Sequence, residues 1–243
     1  MTATHSSRPF AVFDIDGTVI RWQLYHAMND VLARKGIIDE KAFDEVRQAR
    51  MDWKKRSGDE SFHTYEQTLV RIFEQTLKGL KVKDLTDAAE EAFSEYKDQV
   101  YIYTRDLIRE LKAKQYVLFA ISGSPDLIIE KLAHYYGFDG FAASSYEAHD
   151  GRFTGVIRLS IGKKAQLLQQ LIDKHHAMHA GSIGVADSEG DIEMLNKVER
   201  PIAFNPSRLL VEHATKQHWP IVVERKNVVY SLNYHNGEYR LTL

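Results

Sequence analysis

The chain has 243 residues, 44% apolar and 27% charged, a balance that fits a folded globular protein and excludes wholesale disorder. Its 32 Lys and Arg against 34 Asp and Glu leave a net charge of −2, which argues against a protein that binds nucleic acid by neutralising phosphates. There is no cysteine, so disulfide frameworks, thiol nucleophiles and Cys-based metal sites are excluded.

Met1–Arg8 is small and polar and carries no apolar leader. The longest apolar runs, such as Tyr116–Ile121 and Pro220–Val223, fall far short of the ~20 residues a membrane span needs. The expected compartment is the cytoplasm, with neither membrane nor nucleic acid as partner.

Phe10–Asp14 is the first of three continuous apolar runs that open into Gly- or Ser-containing turns; Tyr116–Ile121 and Ser182–Ala186 are the others. Runs that are apolar throughout predict strands of a parallel sheet covered on both faces. Residues 22–98 break the pattern. Tyr65, Leu69, Ile72, Phe73 and Leu77 recur at helical spacing, charges are dense and proline is absent, which predicts several helices inserted after the first strand. A helical insertion at the carboxyl end of a sheet strand predicts a lid over a binding site. Trp22, Trp53, Phe62 and Tyr65 read as the core of that insertion, and Lys78, Lys81 and Lys83 as its solvated face.

Strand–helix alternation occupies residues 100–223. Leu107, Ile108 and Leu111 mark a helix before the second strand; Leu167, Leu168, Leu171 and Ile172 mark one before the third. Ser124-Pro125 and Asn205-Pro206 each predict a helix N-cap followed by proline at the first helical position. His175, His176 and His179 lie near a helix end; without the Glu of a His-Glu-x-x-His motif they read as C-terminal cations, not ligands. The tail alternates around Asn236-Gly237, from Val228–Tyr234 to Tyr239–Leu243, which predicts a hairpin. The expected fold is a doubly wound, mostly parallel α/β core over 1–21 and 99–243, a helical cap over 22–98, and a C-terminal β-hairpin.

The first strand ends in Asp14-Ile-Asp16-Gly-Thr18. Two carboxylates one residue apart beside a buried strand are costly unless a cation or substrate compensates them. Side chains at i and i+2 of an extended segment point the same way, so both acids can face one site. The third strand ends in Asp187-Ser-Glu-Gly-Asp191, a second acidic turn. Helix capping accounts for one of its acids but hardly for both turns. Acids converging at one sheet edge make a hard oxygen site of the kind that suits Mg²⁺. The second strand ends in Ser122-Gly123-Ser124, whose hydroxyls and N–H groups suit a phosphate. Lys163 and Lys164 open a helix where the dipole disfavours a cation; a nearby anion or a solvated side chain explains either.

Taken together and in this order, the four motifs resemble the haloacid dehalogenase superfamily across residues 10–195. The insertion after the first motif, with Tyr65-Glu-Gln-Thr-Leu69 and Pro201-Ile-Ala-Phe204, resembles its phosphoserine-phosphatase-like branch. The resemblance implies a Rossmann-like core and a phosphatase acting on a small phosphorylated metabolite. It implies Asp14 as nucleophile forming an aspartyl phosphate and Asp16 as general acid and base. Mg²⁺ would be held by Asp14, the Asp16 carbonyl and Asp187, with Asp191 supporting. Ser122 and Gly123 would bind phosphate, and Lys164 would orient it, with Lys163 as the alternative. Gln23 stands where phosphoserine phosphatases carry a glutamate for the substrate amino group. Ile72, next to Arg71, aligns with their carboxylate-binding arginine, which puts phosphoserine in doubt as the substrate. Trp22 is the first candidate for a substrate contact. A phosphotransferase or mutase using the same aspartyl phosphate is the enzymatic alternative, and an idle phosphate-binding regulator the non-enzymatic one.

Overall fold

The computed structural model describes residues 7–58 and 61–242, with His63 described by its backbone alone. The polar run at 1–6 and Leu243 lie outside them. The first apolar run is strand β1 (Pro9–Asp14), and its side chains divide the molecule into two layers. Phe10 and Val12 join one buried cluster, Ala11 and Phe13 the other, as the period-2 alternation of a strand requires.

β1 lies between β2 (Val117–Pro125) and β5 (Met178–Ala186), parallel to both. The sheet continues through β3 (Gly140–His149) to antiparallel β4 (Arg152–Arg158) on one side. On the other it runs through parallel β6 (Arg200–Phe204) and β7 (Ile221–Arg225) to the antiparallel hairpin β8 (Val228–His235) and β9 (Glu238–Thr242). The order is β4-β3-β2-β1-β5-β6-β7-β8-β9. Successive strands are added in one direction from β1 to β4 and in the other from β5 onward, and the crevice beside such a switch point is where open α/β sheets bind ligands.

Of the helices between β1 and β2, the first four make up the insertion: α1 (Leu24–Arg34), α2 (Glu40–Lys54), α3 (Ser61–Leu77) and α4 (Val82–Tyr96). α1 packs on α4 and α2 on α3. Tyr65, Leu69, Ile72, Phe73 and Leu77 are all buried on α3, and they belong to the same apolar cluster as Ala11 and Phe13 of the sheet. Trp22, Trp53, Phe62 and Tyr65 form an aromatic group, with Trp53 stacked on Tyr65 at 5.7 Å. Lys78, Lys81 and Lys83 are exposed.

α5 (Ile102–Ala113) and α6 (Asp126–Tyr136) cover the same face of the sheet. α7 (Lys164–His175), the single-turn α8 (Ile192–Leu195) and α9 (Arg208–Gln217) cover the other. Asn236 and Gly237 turn the hairpin at φ 49° and 92°, the left-handed pair that an Asn-Gly turn supplies. No described helix is long and apolar enough to cross a membrane.

Both expected N-caps are corrected. α6 begins at Asp126 without a side-chain cap, because the Ser124 hydroxyl instead accepts the Tyr25 N–H at 3.0 Å. α9 is capped by Ser207, and Asn205 accepts the Glu224 N–H at 2.8 Å. In each case a partner distant in sequence has taken the side chain. The β3–β4 hairpin was not expected from sequence; Asp150-Gly151 at its turn, both with positive φ, is the local signal.

His26 on α1 is buried, ringed by Trp22, Tyr25, Phe62 and Tyr65, and its Nδ1 has no hydrogen-bond partner among the described residues. Burial, with the Arg50 charge adding, pushes its pKa down from 6.5 to about 3. A base held neutral in the fold but protonated when unfolded withdraws stability as pH falls below the unfolded value, about 2 kcal/mol at pH 5. Wild type is therefore expected to lose more unfolding free energy than His26→Leu between pH 7.5 and pH 5, by about that amount. Denaturant titration of both proteins at the two pH values measures the difference.

Candidate active site

Asp14 is the last residue of β1, and the chain leaves it in a tight loop. Thr18, Val19 and Ile20 all return their N–H groups to the Ile15 carbonyl, and Gly17 donates to Ile20 and Trp22. Gly17 has φ +82°, and a Cβ there would clash with the Asp187 carboxylate. Only glycine lets the first acidic turn approach the second. From the opposite side the loop is held by Tyr101 N–H on the Val19 carbonyl and Thr104 Oγ1 on the Thr18 carbonyl. Glu224 of β7 positions that helix start by accepting the Ile102 and Tyr103 N–H groups at 3.1 and 2.9 Å.

Lys164, the first residue of α7, donates to Asp14 Oδ1 at 2.7 Å and to Asp191 Oδ1 at 2.5 Å. The anions that offset its position in a positive helix end are these two carboxylates. Lys163 is the exposed N-cap residue and makes no such contact among the described residues. Asp191 is fully buried, and its second oxygen accepts the Ser188 hydroxyl at 2.5 Å. Oxygens of Asp14, Asp187 and Asp191 lie within 4.8 Å of one another.

The Asp16 carboxylate is turned elsewhere. Oδ1 accepts the Leu24 N–H at 2.6 Å and Oδ2 the Ser122 hydroxyl at 2.5 Å, so Asp16 joins the start of α1 to the end of β2. The Ser124 N–H donates to Ser122 Oγ at 2.9 Å. Gln23 is half-buried immediately before α1, and its side chain does not cap the helix. Trp22 is half-buried, faces Trp53 at 6.2 Å between ring centres and lies under the Arg50 guanidinium at 5.0 Å. Ile72 is buried in the core, and exposed Arg71 pairs with Glu45 of α2.

The charges do not balance locally. Burial raises the Asp14 carboxyl from 3.8 to about 7; Lys164 pulls it down, and the neighbouring Asp191 and Asp16 push it up. Burial also holds Asp187 well above the usual carboxylate range, with Asp14 and Asp191 adding to the effect. Asp16 is raised by burial, in part offset by its bonds from Ser122 and Leu24. Burial works against the Lys164 ammonium, but Asp14 and Asp191 outweigh it and hold its pKa above the ordinary value. Three mutually close acids, with Asp16 beside them, thus face one ammonium. A cavity of about 600 Å³ lined by Trp219, Arg200 and Glu199 lies at the start of β6 and β7 and contains none of these acids.

Of the residues expected from sequence, the fold brings Asp14, Asp187, Asp191 and Lys164 together, and Asp16 with Ser122 beside them. Ser188 on Asp191 and Glu224 behind the loop were not expected. Ser188 lies inside the second acidic motif, but nothing local in sequence marks Glu224.

Residues 11–196 match the family of haloacid dehalogenase-like hydrolases. A histidinol-phosphatase of Neisseria meningitidis serogroup C is 24% identical over 220 residues, 87% of this chain and 97% of that protein. A phosphoserine phosphatase of Methanocaldococcus jannaschii is 24% identical over 227 residues, 92% of this chain and 95% of that protein. The crystal structure of a protein of unknown function from Bordetella pertussis Tohama I shares the fold, with a TM-score of 0.71 at 23% identity over 89% of this chain and 98% of the other. The chain belongs to the haloacid dehalogenase-like hydrolase family, and over most of its length it is similar to proteins named as phosphatases of small phosphomonoesters.

Proposed function

We propose that the protein is a cytoplasmic, Mg²⁺-dependent phosphatase that hydrolyses a small phosphorylated metabolite through an aspartyl phosphate on Asp14. The observation that carries this reading is the buried Asp14–Lys164–Asp191 ion triad with Asp187 beside it. Three mutually close carboxylates with one ammonium between them leave uncompensated negative charge in a poorly solvated place, and all donors are hard oxygens. That donor set fits Mg²⁺, held by Asp14 and Asp187 with the Asp16 carbonyl, and Asp191 in support. When bound, the cation neutralises charge between an anionic nucleophile and an anionic phosphate.

Lys164 holds Asp14 Oδ1, which leaves Oδ2 to attack phosphorus. A bond forms from Oδ2 to phosphorus as the bond to the leaving oxygen breaks. Asp16, whose carboxyl burial keeps above the usual range, gives its proton to that oxygen. It then takes a proton from the water that attacks the aspartyl phosphate, freeing Asp14 and inorganic phosphate. Ser122 and Gly123 bind the phosphate oxygens, and α1–α4 cap the site. Asp14→Asn is expected to reduce turnover to background in a folded protein. EDTA is expected to abolish activity, Mg²⁺ to restore it and Ca²⁺ to restore it poorly because of its looser coordination. Full turnover in excess chelator contradicts the metal assignment.

For the substrate, Gln23 and Ile72 offer neither a carboxylate nor a guanidinium, and Arg71 is engaged with Glu45. Each missing charge-assisted contact forfeits ~1.5–3 kcal/mol, so a zwitterionic leaving group loses roughly a hundredfold or more. Phosphoserine is expected to show a lower kcat/KM than the best neutral or singly charged member of a panel of sugar, polyol and nucleoside monophosphates. Phosphoserine emerging as the best substrate, with Arg71→Ala abolishing the preference, overturns this assignment.

A further inference from the structure

Two buried serines outside the reaction hold the turn that follows the apolar half of β2. The pairing of β2 with β3 runs from Phe119↔Gly140 to Ile121↔Ala142, then slips and resumes at Pro125↔Ser144. Across the slip, side chains replace the ladder. Ser160 Oγ donates to the Ser122 carbonyl at 2.6 Å, and Ser144 Oγ donates to the Gly123 carbonyl at 2.8 Å. The two hydroxyls are 3.1 Å apart, and the Ser160 N–H donates to Ser144 Oγ at 3.2 Å. Ser144 is 0% and Ser160 1% exposed, so each hydroxyl is fully withdrawn from water. Burying a hydroxyl is unfavourable unless it is bonded, and both of these are bonded to one turn.

The consequence follows from peptide geometry. In a planar trans peptide the carbonyl and the following N–H point in opposite directions. Fixing the Ser122 carbonyl therefore aims the Gly123 N–H. Fixing the Gly123 carbonyl aims the Ser124 N–H, which donates to Ser122 Oγ and so orients the hydroxyl that meets Asp16. The Ser160 carbonyl also accepts the Lys163 N–H at 3.0 Å, one residue before the lysine that holds Asp14.

We propose that Ser144 and Ser160 are positioning residues for the phosphate: through two carbonyls they aim the donors of the Ser122–Gly123 turn and lock that turn to the start of the Lys164 helix. The proposal rests on the phosphatase reading of the site. Neither serine touches substrate; both act through backbone and hydroxyl groups that do.

The test measures inhibition by inorganic phosphate, with Mg²⁺ present, of the hydrolysis of a generic aryl phosphate. Ser144→Ala and Ser160→Ala are each expected to weaken phosphate inhibition about tenfold, the worth of one buried hydrogen bond, and to raise KM more than they lower kcat. Coupled partners are not additive, so the double variant is expected to stay below about a hundredfold. Ser144→Cys keeps the shape of the side chain, with a slightly larger atom, but donates weakly, and is expected to behave as Ser144→Ala; Ser144→Thr keeps the donor and is expected to retain phosphate affinity. If an alanine variant does not fold, the Cys and Thr variants decide. Folded variants within about twofold of wild type, or Cys behaving as wild type while Thr fails, overturn the positioning role. Wild-type protein that neither hydrolyses phosphomonoesters nor binds phosphate overturns the phosphatase reading and this inference with it. Active wild type with unaffected serine variants overturns this inference alone.

Discussion

The Lys164 ammonium, closed on both sides by Asp14 and Asp191, is the contact on which the site depends. It joins three chain segments far apart in sequence: the end of β1, the start of α7 and the turn after β5. A buried ion pair of this kind is weak evidence for stability, because desolvation cancels much of the attraction. Its value is positional. With Asp187 in the same cluster, acids outnumber the one cation, and the imbalance makes the site receptive to a further cation and then to a phosphate. Gly17 makes the imbalance possible, since a side chain there would drive Asp187 away.

The sheet brings these groups together by topology. β1 has parallel neighbours on both sides, so the loops after β1, β2 and β5 open on one edge at the switch point. Each loop brings a different chemistry: carboxylates from the first and third, hydroxyls and N–H groups from the second. Asp16 links two of them, since its bonds from Ser122 and the Leu24 N–H join the Ser122–Gly123 turn to the first helix of the insertion. The aromatic group around His26 shares one apolar cluster with the sheet, so the inserted helices are built onto the core and not hung beside it.

Much of this was legible in the sequence, and the reasons are local. The continuous apolar runs marked β1, β2 and β5 because both of their faces are covered. The helical spacing of Tyr65 to Leu77 marked α3, and Asn236-Gly237 marked the hairpin. Asp14, Asp187, Asp191 and Lys164 stood out because charge at the end of a buried strand, or at a positive helix end, calls for compensation. What escaped depends on tertiary partners. Ser124 and Asn205 looked like caps, but Tyr25 and Glu224 claim their side chains. Glu224 supports a helix start some 120 residues earlier in the chain, at Ile102 and Tyr103. Strands β3 and β4 are polar and half-exposed along much of their length, so neither a continuous nor a strictly alternating pattern marks them. Ser144 and Ser160 are plain serines until the slipped register of β3 and the return of the chain after β4 set them behind the Ser122–Gly123 turn.

The account turns on Asp14 becoming covalently phosphorylated. Quenching the enzyme during turnover, reducing it with borohydride and mapping the digest by mass spectrometry tests this directly, since borohydride converts an aspartyl phosphate to homoserine. The account predicts homoserine at position 14, present with substrate and Mg²⁺ and absent without substrate. Turnover with no modification at position 14, or a phosphoryl group recovered on another residue such as Ser122, contradicts it.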